Sequence, residues 1–170
     1  TSASATQTIT SNGTQFAGSV TVNATVGVIV QLADAIGLSA GTLTISQGVF
    51  KTNDFNMLLR VFSSNNSNTR VLTLGSSVIT LAATGTVWNT ATTTNLTLNQ
   101  GTSTIKISDT SATAKTFSGG GKTFYNLLYA NGAGGASLTF VGSNTFNSFR
   151  DTSTAAHTLT FTAGTTQTMP

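Results

Sequence analysis

Leu96–Phe117, LTLNQGTSTIKISDTSATAKTF, is written a second time at Leu138–Leu159. A slide of 42 residues places Leu96-Thr97 on Leu138-Thr139, Leu98 on Phe140, Ile107 on Phe149 and Asp109-Thr110-Ser111 on Asp151-Thr152-Ser153. Ala114 then falls on Ala156, Thr116 on Thr158 and Phe117 on Leu159. Threonine is so abundant that a matched Thr proves little. The Asp-Thr-Ser triplet and the apolar-for-apolar exchanges in one unbroken register weigh more, because self-similarity at a fixed period marks a repeat architecture. A fainter copy, Leu43-Thr44-Ile45-Ser46-Gln47-Gly48, overlays Leu96–Gly101.

Outward from this repeat the apolar residues alternate with polar ones, the period of a half-buried strand. Val20, Val22, Val26, Val28, Val30 and Leu32 share one parity, Leu43 and Ile45 the next, and Gly48 closes that strand. Phe55, Met57, Leu59 and Val61 alternate with Arg60 pointing outward, and Ser63–Thr69 is a loop by composition. The pattern returns at Leu72 and Leu74 and at Val78–Leu81, Trp88 fills a core corner, and Phe124–Tyr129 forms a strand between glycine turns. The Leu-Thr strand starts at 43, 72, 96, 138 and 159 point to a coil near 21 residues, since 42 is two such coils. The expected fold is all-β, a parallel β-solenoid (β-helix) in which each strand pairs with its equivalent one rung along. The competing fold is an antiparallel β-sandwich, which favours tight hairpins. Asn-Gly, the strongest hairpin signal, occurs only at Asn12-Gly13 and Asn131-Gly132. Residues 1–14 read as a polar tail or an added strand, and 15–170 as one β-repeat domain.

Of 170 residues, 36 are Thr and 19 Ser, 38% are hydrophobic and only 6% charged, so the chain is too apolar and too weakly charged for a disordered one. The net charge of +3 comes from Lys51, Arg60, Arg70, Lys106, Lys115, Lys122 and Arg150, scattered one at a time. Nucleic-acid binders cluster their basic residues on one face, so no nucleic-acid partner is expected. No cysteine is present, which removes disulfides and thiolate metal sites. The longest apolar run, Val26–Leu38, is broken by Gln31 and Asp34 and is too short for a membrane span. No secretory leader is visible and the chain starts at Thr1, which reads as a processed or excised piece.

No motif here specifies a catalytic, cofactor or metal site. Ser118-Gly119-Gly120-Gly121-Lys122-Thr123 resembles the end of a phosphate loop, but Thr116 stands where the first glycine belongs and a strand pattern follows instead of a helix. It reads as a corner turn. Ser103 and Lys106 have Ser-x-x-Lys spacing, which on a strand points the two to opposite sides. Asp109 and Asp151, with Asn131 between them, suggest an Asp–Asn–Asp column whose acids could flank a glycosidic bond. The simpler reading is repeated turn residues bonding their own backbone. On that reading, replacing both aspartates with Asn changes stability little. His157 has no second His or Cys and reads as an exposed strand residue. Sequons at Asn12, Asn23, Asn65 and Asn95 are expected by chance in so Thr-rich a chain. Thr-x-Thr, which binds ice when it keeps one register from coil to coil, starts at Thr42, Thr84, Thr90, Thr102 and Thr158, among others, in no constant register.

The strings LTLNQGTSTIKISDTSATAKTFSGGG, LTFVGSNTFNSF and AHTLTFTAGTTQT resemble the repeats of Thr/Gly-rich β-helical fibre and adhesin segments of phage virions and bacterial surfaces. The resemblance is one of repeat style over most of Val20–Thr168. It implies a structural or adhesive role, an extracellular, cell-surface or virion setting and no cofactor. Its partners would be copies of the chain, neighbouring coils of a longer one, or surface glycans. The alternatives are a tailspike-like glycan-binding or glycan-cleaving protein and, third, an ice binder.

Overall fold

The computed structural model describes residues 5–169, whose regular structure is all strand, with no helix. Seventeen strands wind into a right-through stack of about 7 turns, about 22 residues apart. The first face holds β1 (Thr6–Ile9), β3 (Ile29–Leu32), the second half of β5 (Thr42–Lys51), β8 (Arg70–Thr73) and β11 (Leu96–Asn99). The second holds β2 (Val20–Asn23), the first half of β5, β7 (Val61–Ser63), β10 (Gly85–Asn89), β13 (Lys115–Ser118), β15 (Leu138–Val141) and β17 (Leu159–Phe161). The third holds β4 (Ile36–Gly37), β6 (Met57–Leu59), β9 (Val78–Leu81), β12 (Thr104–Ile107), β14 (Thr123–Tyr129) and β16 (Thr145–Asp151). Every one of these pairings is parallel, so the fold is the β-solenoid and not the sandwich.

Each face buries alternate residues in a column. On the second face the inward column runs Val20, Leu43, Phe62, Trp88, Phe117, Phe140 and Phe161. On the third it runs Ile36, Met57, Ile79, Ile105, Leu127 and Phe149. Trp88 lies 4.2 Å from Phe62 and 6.0 Å from Phe117, ring centroid to centroid, in stacked geometry. Phe124 and Phe146 of the third face close on this stack, the first edge-on at 4.9 Å and the second tilted at 5.6 Å from Phe117. Burial of each such ring is worth about 1.5–3 kcal/mol, and this aromatic stretch is the densest part of the core.

The corners follow from backbone chemistry. Gly48 does not close its strand. With φ at +95° it bends β5 from the second face onto the first, which lets Ile45 and Phe50 both point inward. The first face ends at β11. Beyond β13 the chain turns at Ser118–Lys122 straight onto the third face, and beyond β15 it turns again at Gly142–Asn144. The later coils therefore have two faces, and Leu98, expected inward, is only half-buried because no strand covers β11 on the far side.

Three more expectations change with the coordinates. Val20–Leu32 is not one alternating stretch: a turn in which Val28 N–H bonds Thr25 O splits it between two faces and leaves Val26 58% exposed. Phe55 sits in a turn behind Asn53 and Asp54, both at positive φ, and is exposed. The 42-residue overlay is not the spatial register, since Leu96 lies on the first face and Leu138 on the second, and 44 residues separate Ile107 from Asp151, two rungs on. Within the stretch read as tail or added strand, Thr6–Ile9 is β1, paired with β3; positions 1–4 of that stretch lie outside the described residues.

Candidate functional site

The corner between the third and second faces brings together Asp109, Lys115, Tyr129, Asp151 and His157. Ile107, Tyr129 and Asp151 stand in one column, so Asp109, two residues past Ile107, is level with Asn131 and with Ser153. The expected Asp–Asn–Asp column is thus Asp109–Asn131–Ser153, and Asp151 belongs to the column beside it. Asn131 is fully buried and ties the rungs together: its Nδ2 donates to Asp109 O (2.7 Å) and Ser111 O (3.0 Å), and its Oδ1 accepts from Ala136 N (2.9 Å).

Local bonding nonetheless repeats. Asp109 Oδ1 accepts from Ser111 N–H (3.0 Å) and Asp151 Oδ1 from Ser153 N–H (2.8 Å), the Asx-turn geometry that short acidic side chains favour. Six residues after each aspartate comes a cationic partner. Lys115 Nζ lies 2.8 Å from Asp109 Oδ1, and His157 Nε2 lies 2.6 Å from Asp151 Oδ2. Lys115 occupies an inward position of β13 and is fully buried, where an unpaired ammonium would be costly; Asp109 and Ser111 O (2.7 Å) satisfy it. Burial works to raise the Asp109 carboxyl, but Lys115 and Ser111 outweigh it and hold the group below the usual carboxylate range. Asp151 is likewise lowered, with burial opposed by Ser153 and His157. Tyr129, fully buried with its hydroxyl donating to Ala136 O, is pushed up to about 12 by burial and by Asp151 and Asp109.

This arrangement braces a corner. Ser153, His157 and Asp151 bear the residue types of a nucleophile relay, but the second ring nitrogen of His157, Nδ1, faces Ala155 O at 2.9 Å and not a hydroxyl. A relay needs that nitrogen on the nucleophile. His157 is also not an exposed strand residue: its side chain is 12% exposed and lies in the loop before β17. The other two aspartates hold backbone as well. Asp34 accepts from Ser11 N–H (2.8 Å) and Asn12 N–H (2.7 Å), and Asp54 from Ser76 N–H (2.7 Å), each on a neighbouring coil. Among the described residues, no three His, Cys, Asp or Glu side chains stand together as metal ligands.

The remaining motif positions are structural. Ser118–Lys122 is the corner turn into β14, with Gly120 and Gly121 at positive φ and Lys122 Nζ donating to Leu96 O (2.8 Å). Ser103 is buried while Lys106 lies on the outer side of β12, so they do not meet. Two cations are not scattered over the surface as the sequence suggests. Lys115 is one. Arg70, fully buried without an acid, is the other: its fork donates to Ser64 Oγ (2.9 Å), Ser64 O (3.1 Å), Thr92 O (2.8 Å), Thr94 O (3.1 Å) and Asn68 O. It clamps the loops 64–69 and 90–95 together, and burial lowers its pKa from the usual value. No sequence signal marks either residue, because their burial is set by the loops around them.

Outside, the Thr-x-Thr starts fall in unrelated places: Thr90 is buried, while Thr84 and Thr102 lie in turns. A different set does keep register on the second face, where Thr86, Thr116, Thr139 and Thr160 form a column over four rungs. Comparison with known proteins finds no matching family model, no matching curated protein and no matching solved structure.

Proposed function

We propose that this chain is a structural, adhesive segment of an extracellular or virion fibre, acting through rigidity and a repetitive surface. The observation that carries the reading is the second face: seven strands from β2 to β17 pair in parallel without a break, over a continuous apolar column. Parallel pairing along one direction makes a rod whose coils are added by the same bonds that hold each coil. All four aspartates bond backbone or a cation at corners, and Trp88, an aromatic that a sugar-binding groove would expose, is inside the core. Both facts favour a structural role over glycan cleavage.

The natural partners on this reading are copies of the chain or neighbouring coils of a longer one. Of the described strands, β2 pairs only with β5 and β17 only with β15. Their outer edges offer N–H and C=O groups to a further parallel strand. Sedimentation and electron microscopy of the folded chain at micromolar concentration test this. Rods or end-to-end oligomers are expected, and a stable monomer with no filaments overturns self-association. Incubation with surface polysaccharides tests the alternative, and cleavage of any of them would overturn the structural reading.

A further inference from the structure

The corner after β16 repeats the corner after β12 with one chemical change. Where the earlier corner has Lys115, fully buried, the later one has His157, whose charge depends on pH. His157 is the only histidine in the chain. Its Nε2 faces the Asp151 carboxylate at 2.6 Å and its Nδ1 faces Ala155 O at 2.9 Å. Both oxygens only accept hydrogen bonds, so both ring nitrogens must carry hydrogen for the two contacts to form. A neutral ring would set one nitrogen lone pair against an oxygen lone pair. The pocket is built for imidazolium.

We infer that the Asp151–His157 corner is a pH-operated latch on the coil containing β17, closed by the imidazolium and released when the ring loses its proton. What the latch holds is the loop 152–158, which delivers Leu159–Phe161 to their partners on β15. That strand is held on one side only, by its ladder to β15 and by Leu159 against the core, while Phe161 stacks on Phe140 at 5.3 Å but is 50% exposed. In the earlier corner the equivalent loop is fastened by Lys115 on Asp109 instead of by a histidine. The inference stands independently of the fibre reading; if that reading holds, the latch makes addition of a further coil at β17 pH-dependent.

Besides Asp151, the titratable group facing His157 is Tyr129 of β14, whose ring packs edge-on at 5.5 Å. Its phenol, raised to about 12, stays neutral throughout the relevant range. Beyond Tyr129, Asp109 is paired with Lys115 at 2.8 Å in the earlier corner. The bond to Ala155 O raises the His157 pKa most, burial opposes it, and Asp151 raises it further. Stabilisation from a raised histidine is complete below the unfolded value of about 6.5 and is lost as pH climbs through the folded value. Asp151, lowered, keeps its charge until the solution falls below about 4. The latch is closed between these limits and opens above them.

Amide hydrogen exchange read by NMR, with a parallel titration of the His157 ring, tests this. Between pH 5.5 and 8.5 (about one unit below and two above the ordinary histidine value), protection of the Thr162 N–H, which bonds Phe140 O, should fall by about tenfold after correction for intrinsic exchange. Protection of Thr90 N–H, in the interior coils, should not change. His157→Lys should copy the earlier corner and give a flat profile. Flat protection in the unaltered chain, the same pH response in His157→Lys, or a His157 pKa at or below the ordinary value overturns the latch. The ring titration needs no variant, so the inference remains testable if His157→Lys does not fold.

Discussion

At the scale of single residues, polar groups inside the solenoid carry unusual weight. Asp109 was legible as a turn residue, and on that reading alone its replacement would be mild. The structure adds a fully buried Lys115 whose charge it compensates. Asp109→Asn should therefore cost about 3 kcal/mol, because removing one member of a buried pair strands the other. A urea midpoint measured against the unaltered chain checks this; a loss under 1 kcal/mol (about the worth of an exposed pair) would mean that Lys115 finds another partner. Arg70→Lys should cost about 2 kcal/mol, since a single ammonium cannot serve acceptors on two loops that the planar fork reaches at once. Lys106→Ala, on the outer side of β12, should be nearly silent in the same assay.

At the scale of elements, the turns and the aromatic column set the shape. Gly120 has φ at +65°, and a Cβ there would come within 2.2 Å of Thr90 O. Gly120→Ala should lower stability by about 2 kcal/mol or more, combining left-handed strain with a backbone clash that no rotamer relieves. Phe117→Ala should cost about 3–5 kcal/mol, as its ring is fully buried among Trp88, Phe124, Phe140 and Phe146. Phe161→Ala, in the same column but half exposed, should cost about 1 kcal/mol. Equal losses for the two phenylalanines would contradict the column as described. The corner turn at Ser118–Lys122 was readable from its glycines, whereas the bend at Gly48 was not. A glycine within an alternating pattern marks either a strand end or a corner, and only the pairing of Val49–Lys51 with a different face decides which.

At the scale of the whole molecule, each coil is held chiefly by its two neighbours, so stability should be graded along the rod. Amide exchange is expected to be slowest at β10 and β13, inside the aromatic stack, and fastest at β1 and β17, which have one neighbour each. Uniform protection along the chain would show a single all-or-none unit instead. The sequence by itself determined the strand class, gave a coil near 21 residues against the about 22 observed, and favoured parallel stacking over the sandwich, because inward Leu, Ile, Val and Phe at period two leave their mark on composition and spacing. It also determined the Asp-Thr-Ser corner, since an Asx turn is made by residues two apart and needs no distant partner. Tertiary structure alone decided which face each strand joins, the true register of 44 residues over two rungs, and the fate of Lys115, His157 and Arg70. Those depend on loop lengths that add or drop residues at corners, and a corner that gains two residues moves every later side chain to a new neighbour without altering the pattern along the chain.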